Sequence, residues 1–269
     1  MIILPKEIIR YKNGVAEKLI DPVISEEWFN LYLNEELIYQ TPVLDQEIED
    51  LIYGLLFVKG HIKTGANGYI RVGVTGRSPL PEIVRKGRSW YVTLETALPG
   101  QSFRQMVEET FNSIKEKKSL PGTEINRKYK ADSILDLMRD FQKLPSVYHE
   151  TGGVHMAAFA MNKILFWADD VSRRNSIDKV IGKVFLSQTK FQDGMFVSSG
   201  RISSDIVIRM VKTGVKLIAS VSAPMDKAIE LAEYYGITLC GFARGKRMNI
   251  YTHPERVVIN KESFNGIKN

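Results

Sequence analysis

Five short stretches of this 269-residue chain carry side chains that can do chemistry, and four of them suit an anion. Phe242-Ala243-Arg244-Gly245-Lys246-Arg247 puts three cations within four positions, with a glycine between them and an aromatic ring beside them. Guanidinium forks match phosphate oxygens and stack on planar bases. A basic β-turn facing only water has the same composition. Ser198-Ser199-Gly200-Arg201 follows one short apolar run, and Val221-Ser222-Ala223-Pro224 follows the next. Ligands of open α/β sheets sit beyond the carboxyl ends of strands. There Ser199, Arg201 and Ser222 would meet a phosphate or a ribose, although Ser, Gly and Pro equally make ordinary turns and caps. Thr151-Gly152-Gly153-Val154-His155 places two glycines ahead of an apolar run that reads as a helix. Backbone N–H groups and a helix N-terminus would then face an anion, with His155 one turn in. A tight connection with a satisfied core histidine is the plainer alternative.

The fifth stretch holds Cys240, the single cysteine, in Leu239-Cys240-Gly241. A buried free cysteine acts as a small hydrophobe. A reactive one needs exposure and cations nearby, and the basic turn keeps that option open. No Cys-x-x-Cys, His-x-x-x-His or His-Glu-x-x-His occurs, so no zinc site is expected. The phosphate-binding pattern Gly-x-x-x-x-Gly-Lys-Ser/Thr is absent as well. Trp90, Tyr91 and Tyr251 sit in strand-like runs and suit a core better than a nucleic-acid stacking platform.

The elements that must position these residues fall into two styles. The first hundred residues are β-rich. Ile2 to Tyr11 and Ala16 to Val23 flank Lys12-Asn13-Gly14, a hairpin signal. Trp28 to Leu33 and Leu37 to Gln40 flank a second turn at Asn34-Glu35-Glu36. Asp45 to Lys59 reads as a helix with Ile48, Leu51, Ile52, Leu55 and Leu56 on one face, ending at Gly60. Strand-like runs return at Tyr69 to Val74 and Trp90 to Thr96. Ala97 to Gln101 reads as a linker, and Ser102 with Gln105 as a capping box. A polar loop is expected from Lys115 to Lys130. Ser133 then caps a helix carrying Ile134, Leu137, Met138 and Phe141, which stops before Pro145.

From Thr151 helices and strands alternate: helix at Val154–Met161, strand at Ile164–Ala168, helix at Asn175–Leu186, strand at Met195–Ser198. Helix Ser204–Val211, strand Lys216–Val221 and helix Pro224–Tyr235 follow, with Pro224 in the first turn and Gly236 past the end. Strands at Thr238–Ala243 and Met248–Tyr251 close the pattern. The expectation is a smaller β-rich α+β domain over residues 1–100 and a layered α/β domain over 101–269.

Composition fits a soluble globular chain, at 44 % hydrophobic and 25 % charged residues. No apolar run reaches the ~18 residues of a membrane helix. The start, MIILPKEIIR, lacks the basic region of a signal peptide. With one cysteine, a cytoplasmic location and no membrane association are expected. Residues 1–100 hold 11 Lys/Arg and 13 Asp/Glu, a net of −2, whereas residues 101–269 hold 26 and 18, a net of +8. Ordinary solvated side chains explain such an excess, and so does an anionic partner.

Several stretches together resemble the FdhD/NarQ family, the accessory sulfurtransferases of formate dehydrogenases. They are Thr151 to Ala158, Asp169-Asp170-Val171-Ser172-Arg173-Arg174-Asn175, Asp178 to Gly182, Ser198 to Arg201, Ser222-Ala223-Pro224, and Leu239 to Arg244 continuing through Tyr251-Thr252-His253. Asn34, Thr41-Pro42 and Gly54 to Gly60 echo the N-terminal half more loosely. The resemblance implies a cytidine-deaminase-like fold for the larger domain. It also implies transfer of sulfur from a cysteine desulfurase to a molybdenum or tungsten cofactor, bis(molybdopterin guanine dinucleotide), for formate dehydrogenase. Phe242 to Arg247 falls on the family's cofactor-binding segment. His155, Ser199, Arg201 and Ser222 are expected to complete that pocket, with GDP as a fragment of the ligand. Zinc deamination is not implied, because Ala157 stands where deaminases carry their glutamate and no cysteine pair exists.

One departure matters. The family carries a Cys-Gly-x-Cys-Gly-like motif in a mobile loop between its domains, and the corresponding segment here, about Ser113 to Lys130, has no thiol. Persulfide chemistry needs a thiolate. Three readings stand at this stage. The chain is a family member that binds the cofactor without a loop sulfur carrier, or it uses Cys240 in place of the loop, or it is a nucleotide- or nucleic-acid-binding module. Homodimerisation is left open.

Overall fold

The computed structural model describes residues 2–64, 70–72, 76–77, 81–94, 100–116 and 127–259. The chain opens with β1 (Ile3–Lys12), β2 (Val15–Ile24), β3 (Glu27–Leu33), β4 (Glu36–Val43) and α1 (Ile48–Lys59). Short strands β5 (Lys63–Thr64), β6 (Ile70–Val72) and β7 (Gly76–Arg77) precede β8 (Glu82–Lys86) and β9 (Ser89–Thr93). Then come α2 (Phe103–Lys115), β10 (Tyr129–Lys130), α3 (Ala131–Phe141) and the single turn α4 (Tyr148–Thr151). β11 (His155–Ala160), β12 (Ile164–Asp170) and α5 (Arg173–Leu186) lead into β13 (Met195–Ser198), α6 (Ser204–Thr213), β14 (Leu217–Ser220) and α7 (Asp226–Tyr234). β15 (Thr238–Arg244), β16 (Arg247–Thr252) and β17 (Val257–Val258) complete a mixed α/β fold.

Two compact units form. The first holds Met1–Gly100 together with Pro145–Ala157 and Trp167–Thr189. The second holds Gln101–Leu144, Ala158–Phe166 and Lys190–Asn269.

In the first unit the expected hairpin is present, with pairs from Ile3↔Ile24 to Lys12↔Val15. Asn13 and Gly14 take φ of 52° and 85°, the mirror-image turn that matches strand twist. A four-stranded sheet in the order β4-β3-β9-β8 carries buried Phe29, Leu31, Leu33 and Val92. α1 ends at Gly60, whose φ of 87° lets its N–H reach back to Leu56 and Phe57 carbonyls. Its apolar face packs on α5 with almost no gap. A Cβ on Gly54 would sit 1.9 Å from the Asp178 carbonyl oxygen, and one on Gly182 would sit 1.9 Å from that of Asp50. The contact is reciprocal: each helix offers an aspartate and, four residues later, a glycine.

In the second unit the sheet order is β12-β11-β13-β14-β15-β16, and the second halves of β11 and first halves of β12 belong to it. β13, β14 and β15 run parallel, with Phe196↔Ile218 and Ala219↔Cys240 in register, while β16 returns antiparallel. Every residue of β13 and β14 is buried, as a parallel strand covered on both faces requires. The capping box of α2 forms as expected: Gln105 N–H donates to Ser102 Oγ, and Ser102 N–H donates to Gln105 Oε1.

Some expectations need correction. Val154–Met161 is not a helix. His155–Ala160 is strand β11, buried at every position but the first. A short run that is apolar on both faces has no period to tell strand from helix. Ser133 does not cap α3, which starts at Ala131 behind an extended Lys130. Pro224 precedes α7 instead of opening it, and pairs with Ile202 in an isolated parallel bridge. The polar loop is shorter than expected, since Lys115 ends α2 and Tyr129–Lys130 pair with β17. Residues 117–126 of that loop, 97–99 of the expected linker and 95–96 of the expected strand lie outside the described residues. Strand β8, helix α4 and the β10–β17 pair had no sequence expectation.

Candidate functional site

Parallel strands β13, β14 and β15 end on one edge of the second unit, and their connecting loops lock together there. Ser220 Oγ lies 2.7 Å from Gly200 O and 3.0 Å from Ser198 O, which it serves as donor, and accepts from Ser222 N–H at 3.0 Å. Gly200 N–H donates to Ser198 Oγ at 3.1 Å. Ile202 N–H donates to Ala223 O at 3.1 Å, and Met225 N–H to Ile202 O at 2.8 Å. Small hydroxyls thus tie one loop to the other through backbone groups that would otherwise need water. This is why Ser, Gly and Pro recur after each strand. Ser199 and Ser222 come out partly exposed and Arg201 exposed.

β15 reaches this ridge through a second device. A Cβ on Gly241 would lie 2.8 Å from Pro224 Cδ and 3.2 Å from Ser222 O, so only glycine lets the strand pass the loop. Phe242 N–H then donates to Ser222 O at 3.0 Å, with Phe242 at φ 51°, a left-handed conformation unusual for a bulky residue. The register with β16 shifts between Gly241 and Arg244. Such a bulge re-aims the strand end. Beyond it Arg244 pairs with Arg247 across the Gly245-Lys246 turn, with Gly245 at φ 62°. Ala243 is buried, Phe242 half-buried, and Arg244, Lys246 and Arg247 are exposed. The structure therefore brings Ser222 and Phe242 into direct contact and strings Ser199, Arg201 and the basic turn along connected backbone.

Cys240 sits one residue before this bend and is fully buried, between Ala219 and Ile250 in the ladder. Burial pushes its thiol up to about 12. Such a buried, protonated thiol has the setting of a small hydrophobe, because nucleophilic sulfur needs the thiolate.

His155 belongs to the first unit. Gly152 ends α4 in a left-handed conformation at φ 65°, so the two glycines follow a helix C-terminus instead of opening an N-terminus. His155 begins β11 and lines a cavity of about 330 Å³ with Thr41, Ser172, Arg173, Arg174 and Glu26. The segment that carries Ser172 to Arg174 is held from below by a buried network. Asp170 and Lys179, both inaccessible to solvent, pair at 2.7 Å. Lys179 Nζ also donates to Leu44 O and Asp169 O, at 3.0 and 3.1 Å. Asp170 accepts from Ser172 N–H at 2.9 Å, Asn175 Nδ2 at 3.0 Å and Leu44 N–H at 3.3 Å. Burial pushes the Asp170 carboxyl above the usual carboxylate range, while Lys179 and these donors pull the other way. Neighbouring Asp169 accepts from Ser146 Oγ at 2.8 Å and Val147 N–H at 3.1 Å. Reading the residues one by one gave Asp170 and Lys179 no role. The available signal was a pair of carboxylates ending an apolar strand and a lysine inside a buried helix.

A larger cavity of about 450 Å³ lies in the second unit between β10 and α3, lined by Arg127, Lys130, Leu137 and Met161 among others. Its lining includes none of the candidate anion-binding residues read from the sequence. Among the described residues no group of three or more His, Cys, Asp or Glu could hold a metal ion, and no helix is long and apolar enough to cross a membrane.

Comparison with known proteins places this geometry in context. The chain is 29 % identical to "Sulfur carrier protein FdhD" of Listeria monocytogenes, over 95 % of this chain and 99 % of that one. It is 32 % identical to the protein of the same name from Sulfolobus acidocaldarius, over 93 % and 97 %. Its fold matches the crystal structure of a Desulfotalea psychrophila protein described as a candidate formate dehydrogenase accessory protein. The TM-score is 0.76 at 22 % identity, covering 96 % of this chain and all of that one. Residues 24–258 match the family model described as FdhD/NarQ, and the chain belongs to that family.

Proposed function

We propose that this chain is a cytoplasmic accessory protein for formate dehydrogenase that binds bis(molybdopterin guanine dinucleotide) molybdenum cofactor as its cargo and supports its sulfuration or insertion. The observation that carries this reading is the ridge at the ends of β13, β14 and β15. Its donor set suits a ligand with several phosphates. Arg244, Lys246 and Arg247 would meet phosphate oxygens, Arg201, Ser199 and Ser222 a ribose or phosphate, and the half-buried Phe242 ring a guanine. The cargo supplies the metal and the site that accepts sulfur; the chain's part is to hold and orient it.

Relatives bear the name sulfur carrier, yet this chain lacks a thiol in Ser113–Lys130 and buries the one it has. The reading therefore assigns it cofactor holding without a persulfide of its own, with sulfur delivered by a cysteine desulfurase or another carrier. Isothermal titration with GDP tests the ridge. Binding is expected, and Arg244→Ala with Arg247→Ala should weaken it at least tenfold; absent binding, or binding indifferent to both changes, sinks the assignment. Restoration of formate dehydrogenase activity in a strain lacking its own accessory protein tests the client. Mass spectrometry after incubation with a desulfurase and cysteine should show no added sulfur on Cys240.

A further inference from the structure

The cavity of about 450 Å³ in the second unit differs from the strand-end ridge in shape and in charge. Buried Ile134, Leu137 and Met195, with half-buried Met161, give it an apolar surface. Methionine side chains adapt to the shape laid against them. Charges of both signs line the same cavity. Arg127, Lys128 and Lys130 come from the segment that leads into α3, and Asp136 and Asp140 from α3 itself.

The two signs are separated lengthwise. Ser133, Asp136, Leu137 and Asp140 recur at helical spacing, so one stripe of α3 runs along the cavity. Lys130 is the N-cap residue of that helix. A rise of ~1.5 Å per residue puts Asp136 about 9 Å and Asp140 about 15 Å further along the axis. The cavity is therefore positive where α3 begins and negative toward its other end. Some of these charges already have partners, which fix the walls. Arg127 donates to Asp193 O and lies over the Tyr129 ring. Asp136 pairs with Arg139 at 2.9 Å. Lys130 and Asp140 are exposed and make no ion pair or side-chain hydrogen bond among the described residues.

The backbone of the cavity wall adds an independent observation. β10 lines the cavity and pairs with β17 alone, Tyr129 with Val257 and Lys130 with Val258. Its second edge has no strand beside it among the described residues. An open edge takes main-chain hydrogen bonds from an extended peptide. Ser133 and Asn162 offer side-chain donors and acceptors on the same lining.

Size and charge narrow the ligand. The volume lies within the range of organic-ligand pockets, about 300–1,000 Å³. A free amino acid carries both charges on one carbon and cannot reach both ends. Three extended residues span ~10 Å, and the lysine side chain covers the remainder. We propose that this cavity binds a short peptide with free termini and apolar side chains, its carboxylate accepting from Lys130 and its ammonium donating to Asp140. The site stands whether or not the ridge binds a molybdenum cofactor.

Isothermal titration of the full chain with the tripeptide leucyl-alanyl-leucine is the test. Saturable binding is expected, at least tenfold tighter than for triglycine, free leucine or the N-acetylated tripeptide. Lys130→Gln and, separately, Asp140→Asn should each weaken it about tenfold, the worth of one charge-assisted hydrogen bond. Blocked peptides assign the two ends. The C-terminal amide should bind the unaltered protein and Lys130→Gln alike, and the N-acetylated form should bind the unaltered protein and Asp140→Asn alike. Saturating GDP should leave the tripeptide's affinity unchanged, which separates this cavity from the ridge. The inference is overturned by absent saturable binding, by triglycine or a blocked tripeptide binding as tightly, or by displacement with GDP. It is overturned too if Lys130→Gln weakens the amide as much as the free tripeptide.

Discussion

Two clusters of arginine in this protein are built in opposite ways. Arg244 and Arg247 flank a two-residue turn at the end of a hairpin, exposed, with their backbone fixed by one bulge and one glycine. Arg173 and Arg174 start a helix whose first residues are bolted to a buried ion pair, to Leu44 and to Pro42. An exposed turn lets side chains follow a ligand, and each loses rotamer freedom when it does. A clamped helix start fixes where the charges stand before any ligand arrives. The contrast teaches that a cluster of cations in a sequence says nothing about preorganisation; the buried groups beneath it decide that.

The comparison can be broken by mutation. Lys179→Met leaves Asp170 buried without its cation and should cost about 3–5 kcal/mol. Urea unfolding measures this, and a loss under about 1 kcal/mol would mean the clamp is not anchored there. Next in size is Gly182→Ala. Its Cβ would press on the Asp50 carbonyl at 1.9 Å and force α1 and α5 apart, for about 1–3 kcal/mol. An unchanged unfolding midpoint would contradict the close crossing.

A smaller effect depends on pH. Burial raises the half-buried Asp50 carboxyl from 3.8 to about 6, with Lys183 opposing. The folded state then holds this proton more tightly than the unfolded chain. The resulting stability is full below about pH 4 and is lost as pH rises through about 6. Asp50→Asn should flatten that part of the pH–stability curve, read from urea midpoints at several pH values. Smallest of all, Arg244→Ala with Arg247→Ala should shift stability by no more than about 0.5 kcal/mol, because both side chains are exposed. A larger loss would show that the turn is held by its cations and would erase the contrast.

Much of the architecture was legible in the residues. Asn13-Gly14 announced the hairpin, Ser102 with Gln105 the cap of α2, Gly60 the end of α1, and the alternation after Ile164 the α/β layering. These signals are local: each depends on the backbone freedom or hydrogen bonding of one or two residues. The ridge was legible for the same reason, since serines and glycines after apolar runs mark strand ends. The β11 segment was not, because Met156 to Ala160 is buried on both sides and leaves no periodicity. The fate of Cys240 was only half legible: its strand could be read, its complete burial could not.

By itself the sequence determined which residues could meet an anion and that the loop from Ser113 to Lys130 carries no sulfur nucleophile. It also set the positive balance of the second half. Only the tertiary structure decided that residues 145–157 and 167–189 group with the first hundred, and that His155 therefore shares a cavity with Ser172, Arg173 and Arg174. The reason is physical. Composition and turn chemistry act between neighbours in the chain. The bonds of Asp170 and Lys179 to Leu44 and the interlocked glycines of α1 and α5 join residues more than a hundred positions apart, and no local pattern records such a meeting.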